Sequence, residues 1–149
     1  MAEASDTPAV EVHALLVCRG VADGGGGHVS LQGVLDIIPV AGFPGDAGPL
    51  AFVAFLRAHR AGEAQVSFRI HPLEHEAVTL AQFPGRLSVA KGVEGRQTVV
   101  RVDLKTLTVK QGGWFGIEFR LGDKVLARNR FLIGAIAPRG KPPATPQAT

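Results

Sequence analysis

Four stretches of this chain alternate apolar and polar residues with a period of two, which narrows its fold more than any other feature. In QVSFRIH, Val66, Phe68 and Ile70 share one side while Ser67, Arg69 and His71 share the other. In TVVRVDL, Val100, Val102 and Leu104 oppose Val99, Arg101 and Asp103. In WFGIEFRLG, Phe115, Ile117, Phe119 and Leu121 oppose Gly116, Glu118 and Arg120. In KVLARNRFLI, Val125, Ala127, Phe131 and Ile133 share a face that Asn129 interrupts. Successive side chains of a strand point to opposite faces, so each stretch reads as a half-buried strand with one wet face. Helical recurrence at three and four residues is confined to a few windows.

Punctuation agrees with strands. Leu121-Gly122-Asp123-Lys124 predicts a tight hairpin, with Gly122 free to take a positive φ. A second hairpin is expected at His59-Arg60-Ala61-Gly62-Glu63, and further turns at FPGR (83–86) and KGVEGR (91–96). The first strand is placed at about Val10 to Arg19 and the second at about Val29 to Val40, flanking the glycine run Gly24–Gly27. PVAGFPGDAGP, residues 39–49, reads as a long connection crossing between sheets. The result is one all-β, antiparallel β-sandwich of about eight or nine strands. A closed barrel would use the same strands, and periodicity does not exclude it. The domain is placed at residues 9–137, with tails at 1–8 and 138–149, the latter Pro-rich. At 149 residues the chain buries enough surface for a core without a disulfide or metal.

Chemistry is sparse. A phosphate loop needs spaced glycines, often a Lys, and a helix behind it. DGGGGH has contiguous glycines and runs into the strand pattern HVSLQGVLDI, so it reads as a turn. HPLEH, residues 71–75, formally matches the inverted zinc-peptidase pattern and makes His71, Glu74 and His75 the metal candidates. Flanking strands leave barely one helical turn for it, and a third ligand has no evident source. The sole cysteine, Cys18, lies in the apolar run ALLVC and reads as a buried small hydrophobe. Asp36, an acid in an apolar stretch, must be solvated or hydrogen-bonded. Trp114, the only Trp, is either a core plug or an exposed interface anchor beside Gly112-Gly113. No catalytic residue and no cofactor is assigned, and the chain is expected not to be an enzyme.

The net charge of +3 comes mostly from Arg residues scattered singly. The region Arg120, Lys124, Arg128, Arg130, Arg139, Lys141 is more basic but dispersed, so nucleic acid is not expected as a partner and polyanion binding ranks low. The acidic start MAEASDTPAV carries no secretory pattern and no apolar run approaches a membrane span, so a cytoplasmic location is expected.

The segment HVSLQGVLDIIPVAGFPGDAGPLAFVAFLRA resembles an uncharacterised bacterial family of small cytoplasmic β-sandwich proteins, a domain of unknown function. Its members carry an element like "l-x-l-x-G-v-f-d", then "fP", then a strand like "l-a-l-v-l-r-l". Leu31, Gly33, Val34, Asp36, Phe43, Pro44, Leu50, Phe52, Phe55 and Arg57 match, while Leu35 stands where Phe is common. Gly112 to Phe119 also resembles the family's "G-x-Y/W-x-f-x-l". The resemblance implies an Ig-like sandwich and transfers no catalytic residue. The expected role is a protein-interaction or assembly subunit, a homo-oligomer or one with a protein partner, working through sandwich edges or loops. Trp114, Gly25, His28, Phe43, Arg128 and Arg130 are its interaction candidates. The alternatives are a ligand-binding module using loops 20–28, 39–49 and 91–97, or weak polyanion binding.

Overall fold

The computed structural model describes residues 10–25 and 28–135; the expected tails at 1–8 and 138–149, and Gly26 and Gly27, lie outside them. The chain forms β1 (Val10–Gly25), β2 (His28–Val34), β3 (Ile37–Val40), β4 (Gly45–Asp46), β5 (Leu50–Ala58), β6 (Gly62–Pro72), β7 (Ala81–Val89), β8 (Gln97–Leu104), β9 (Thr108–Val109), β10 (Gly113–Leu121) and β11 (Lys124–Ala135). A four-stranded sheet in the order β2-β1-β5-β8 packs on a five-stranded sheet in the order β3-β11-β10-β6-β7. The two-residue β4 and β9 pair separately.

The alternating runs put their apolar sides between the sheets. Phe52 of one sheet meets Phe68, Phe83 and Phe131 of the other with ring centroids 6.2–6.5 Å apart. Leu56, Ile70, Ile117, Phe119 and Ile133 fill the space around them, fully buried. In β11, Ala127, Phe131 and Ile133 face this core as expected, but Val125 does not. A bulge opposite Phe119–Arg120 pairs Val125 with Arg120 and turns it to the outer side. Asn129 remains on the inner side, where its Nδ2 donates to the Leu15 carbonyl of β1 at 2.7 Å. The residue that breaks the apolar pattern thus ties the two sheets together.

Several expectations change. The strand expected at Val29–Val40 is two strands in different sheets. Gly33 takes a φ of +63°, and β2 ends at Val34. The Asp36 carbonyl then accepts from Leu132 N at 2.9 Å, delivering β3 to the edge of β11. That pairing is parallel, so the sandwich is not wholly antiparallel. Asp36 itself is exposed. The family-like Gly33-to-Asp36 element is therefore where the chain changes sheets. The link at residues 59–63 is no hairpin, because β5 and β6 belong to different sheets and the chain arches between them. FPGR is no turn either: Pro84 and Gly85 sit inside β7, an edge strand that among the described strands pairs only with β6, where a missing N–H is tolerated.

The Gly122-Asp123 hairpin is as expected, with Leu121 paired to Lys124 and Gly122 at φ +58°. The glycine run joins two strands as expected, and the ladder between them continues to Gly25↔His28. Residues 39–49 do cross from one sheet to the other, held by Arg19 Nη1 donating to the Ala47 and Pro49 carbonyls at 2.9 and 3.0 Å. Cys18 is buried with Ala51 and Val53 on the other side of the four-stranded sheet. Val21 and Leu31 pack on that cluster, and Asp23 lies 3.6 Å from Arg101.

Candidate functional site

The outer face of the five-stranded sheet should be wet by its sequence, yet its centre is dry. Residues 73–80, between β6 and β7, fold back over it. Two successive turns bend this segment (His75 N to Pro72 O, 3.1 Å; Val78 N to His75 O, 3.0 Å), and Leu73 N is fixed to Trp114 O at 2.9 Å. Arg69 pins the segment from below. Its Nε donates to Thr79 Oγ1 at 2.8 Å and its Nη2 to the Glu76 carbonyl. Ser67, Arg69, His71 and Glu118 are consequently buried on a face whose alternation predicted exposure.

Register then assembles two cross-strand rows. One runs Arg69–Glu118–Arg128 and the other His71–Gly116–Arg130. Glu118 is the hub: its carboxylate lies 3.3 Å from Arg69 Nη1, 3.6 Å from Arg128 Nε, 3.7 Å from His71 Nε2 and 3.9 Å from Arg120 Nε. Arg120 Nε is buried with no hydrogen-bond partner among the described residues. The His71 ring fits against Gly116, and its Nδ1 donates to the Pro72 carbonyl at 2.8 Å. One carboxylate thus faces three guanidinium groups, and the cluster is left cationic.

At the margin the surplus reaches solvent. The Arg130 guanidinium sits 4.9 Å from the centroid of the Trp114 ring, and Trp114 is 45% exposed. Trp114 is therefore not a core plug; its ring lies at the surface. A hollow of about 320 Å³ opens beside it, lined among others by His71, Glu76, Gly116, Arg128 and Arg130. In the adjacent row, Leu132 lies between Trp114 and the exposed Ile37, extending the patch with apolar surface.

The sequence-stated candidates divide. Trp114, Arg128 and Arg130 come together, and Phe43 touches the same end of the sheet by packing on Gly112. Gly25 and His28 close the β1–β2 ladder elsewhere. His71 and His75 do not converge: His71 faces Glu118, whereas Glu74 and His75 line a separate hollow of about 200 Å³ with Trp114. HPLEH forms a strand end and a turn, not a helix, which removes the geometry the zinc pattern needs. Among the described residues no group of three or more His, Cys, Asp or Glu could hold a metal ion. Loop 91–97 borders an open hollow of about 690 Å³ near Arg57. Strand pairing sets it at the Ala58 end of β5, opposite the Leu50 end reached by loop 39–49, so these loops do not form one binding surface. Burial pushes the Cys18 thiol pKa up, which disfavours the thiolate. Arg69, Gly116 and Glu118 were not marked as site residues; the only sequence signal for them was a charged position on each of two strands, without the register that pairs them.

Among the described residues no helix is long and apolar enough to cross a membrane. No curated protein matches the chain. Solved structures resemble it at fold level. A Pseudomonas fluorescens alkylpurine DNA glycosylase, AlkC, bound to DNA containing an abasic site analog, aligns at 13% identity and a TM-score of 0.50 over 83% of this chain. The chain spans only 30% of that glycosylase. An immunoglobulin-like protein from Pseudomonas aeruginosa aligns at 12% identity and a TM-score of 0.43, covering 85% of this chain and 97% of that one. A Bifidobacterium adolescentis GH3 beta-glucosidase aligns at 8% identity and a TM-score of 0.49, over 85% of this chain and 17% of its own. At these identities the likeness is one of fold alone, to an all-β structure of two main sheets. A family of unknown function, DUF6941, matches residues 13–134, from β1 to the end of β11, and the chain belongs to that family.

Proposed function

We propose that this chain is a non-enzymatic interaction subunit that presents the Trp114–Arg128–Arg130 surface to an acidic protein segment. The observation that carries the reading is the exposed Trp114 ring stacked by Arg130 beside a buried cationic cluster. Trp and Arg are the residue types that most often dominate protein interfaces, and here both are held in place before a partner arrives. Arg128 is 65% exposed in its side chain, and Glu118 offsets only part of the local positive charge. An acidic segment with an apolar residue complements this surface: carboxylates for the guanidiniums, and apolar area for Trp114, Leu132 and Ile37. Self-association through a sheet edge belongs to the same reading.

Trp114 is the only Trp in the chain and reports its own surroundings. Fluorescence titration with a Glu-rich peptide containing one Leu, and with its Lys-rich counterpart, tests the proposal. A saturable change with the acidic peptide alone, lost in Arg130→Ala and Arg128→Ala, is the expected result. No change with either peptide would sink it. A stronger, salt-steep response to a single-stranded oligonucleotide would replace it with polyanion binding. The glycosylase likeness does not favour that outcome, because it rests on fold alone.

A further inference from the structure

The four outer edges of the two main sheets are not equally protected. β3 is four residues long and contains Pro39; β7 contains Pro84 and Gly85; β2 is bent by Gly33 at φ +63°. These are ordinary ways of blunting an edge. β8, QTVVRVDL, has neither Pro nor Gly over eight residues, and among the described strands only β5 pairs with it. Val100, Val102 and Leu104 are only partly buried as they pack on the core. The opposite face of β8 carries Arg101 and Asp103, with Arg101 Nε 3.3 Å from the Asp103 carboxylate.

We infer that the β8 edge pairs with β8 of a second copy of this chain, antiparallel about a two-fold axis at Val102. A two-fold axis normal to the sheet keeps each face on its own side, so allowed registers differ by two residues. Centring on Arg101 sets Arg101 against Arg101, a like-charge pair. Centring on Val100 sets Arg101 against Val99 and leaves both charges uncompensated across the seam. Centring on Val102 sets Arg101 opposite Asp103 of the second copy, twice over. The same register places Val100 opposite Leu104 of the second copy on the inner face. The edge is therefore self-complementary in charge and in apolar surface, which selects a second copy over an unrelated strand. One short ladder makes a small interface, so association depends on concentration. The inference shares with the proposed function the reading of an interaction subunit, but it uses none of the Trp114 surface, so either can fail alone.

Sedimentation equilibrium of the full chain from ~10 μM to ~1 mM tests it, a range suited to a small interface. The expected mass rises from 15.6 kDa toward twice that value. Arg101→Asp and Asp103→Arg should each weaken association by about tenfold or more, since both reciprocal pairs become like-charged. An equimolar mixture of the two variants should restore the dimer, because each supplies the charge the other needs. Arg101→Asp also removes the partner of Asp23, so a second variant guards against misfolding. Val102→Cys should form a disulfide-linked dimer under mild oxidation, while the wild type, whose only thiol is the buried Cys18, should not. A wild type that stays monomeric throughout, single variants as dimeric as wild type, a mixture that does not re-associate, or no Val102→Cys crosslink would each overturn the inference.

Discussion

His71 and Gly116 face each other across β6 and β10, and the imidazole occupies the space a β-carbon on Gly116 would need. A Cβ built there would lie 2.6 Å from Nε2 and 2.7 Å from Cε1 of His71. A glycine in a central strand ordinarily weakens it, so the close approach of the ring accounts for its place here. Gly116→Ala should cost about 1–3 kcal/mol through overpacking against the buried His71 ring. Combining it with His71→Ala should cost less than the sum of the single changes. Urea unfolding of the four proteins measures that coupling, and strict additivity would contradict the packing described.

Arg69 and Glu118 form the buried pair beneath residues 73–80. Replacing Glu118 alone leaves Arg69 buried without its carboxylate, so Glu118→Ala should destabilise by about 3–5 kcal/mol. A double replacement, Arg69→Met with Glu118→Leu, removes both charges and should recover most of that loss. The same double variant releases Thr79 and the Glu76 carbonyl from Arg69. Amide exchange in residues 73–80 should therefore rise even where global stability is regained. Unchanged exchange there would show that the segment is held by other contacts.

The sandwich was legible because alternation is a local property: the core faces of β6, β8 and β10 can be read directly from QVSFRIH, TVVRVDL and WFGIEFRLG. What was not legible depends on pairing between distant segments. Arg69, Glu118 and Arg128 are separate charges on three wet faces until register sets them in one row. Nothing in PLEHEAVTL announces that it will cover them, since its residues make only turns and its anchor, Arg69, lies on a strand. The sheet change at Gly33–Asp36 was hidden for a related reason. LQGVLDIIPV is apolar enough to read as one strand, and only the positive φ of Gly33 and the Asp36–Leu132 bond divide it. Chain Arg residues that looked dispersed, Arg120, Arg128 and Arg130, become neighbours by the hairpin between β10 and β11.

Asn129 gives a direct test of the link between sheets. Its Nδ2 supplies a donor to the Leu15 carbonyl, so Asn129→Ala should cost about 0.5–1.5 kcal/mol, the net value of such a bond. Asn129→Asp should cost more, because a carboxylate and a carbonyl are both acceptors. Thermal unfolding of the three proteins should rank them in that order; an Asp variant as stable as wild type would mean that the bond carries no weight.

Cys18 should be inert while the chain is folded. Its side chain is fully buried, and burial raises the thiol pKa above its ordinary value. Labelling with an aromatic disulfide at mildly alkaline pH should be slow and should accelerate in step with unfolding across a urea series. Rapid labelling in buffer would place the thiol at the surface and contradict the packing of Cys18 with Ala51 and Val53.

Asp46 makes the acid limb of stability specific. One carboxylate oxygen accepts from Gly48 N at 2.8 Å and from Leu107 N at 2.9 Å, fastening β4 to the approach of β9. These two backbone donors favour the charged form and hold its pKa below the ordinary value, Gly48 contributing most. With the folded pKa depressed, the unfolded chain binds the proton more readily as pH falls. The contribution is therefore complete above the unfolded pKa and is lost as pH drops through the folded one. Asp46→Asn keeps an oxygen acceptor and removes the titration. Wild type should exceed this variant in urea midpoint at about pH 6, and the gap should close toward about pH 2. A gap that stays constant over that range would mean that the Asp46 charge plays no part in fastening the two segments.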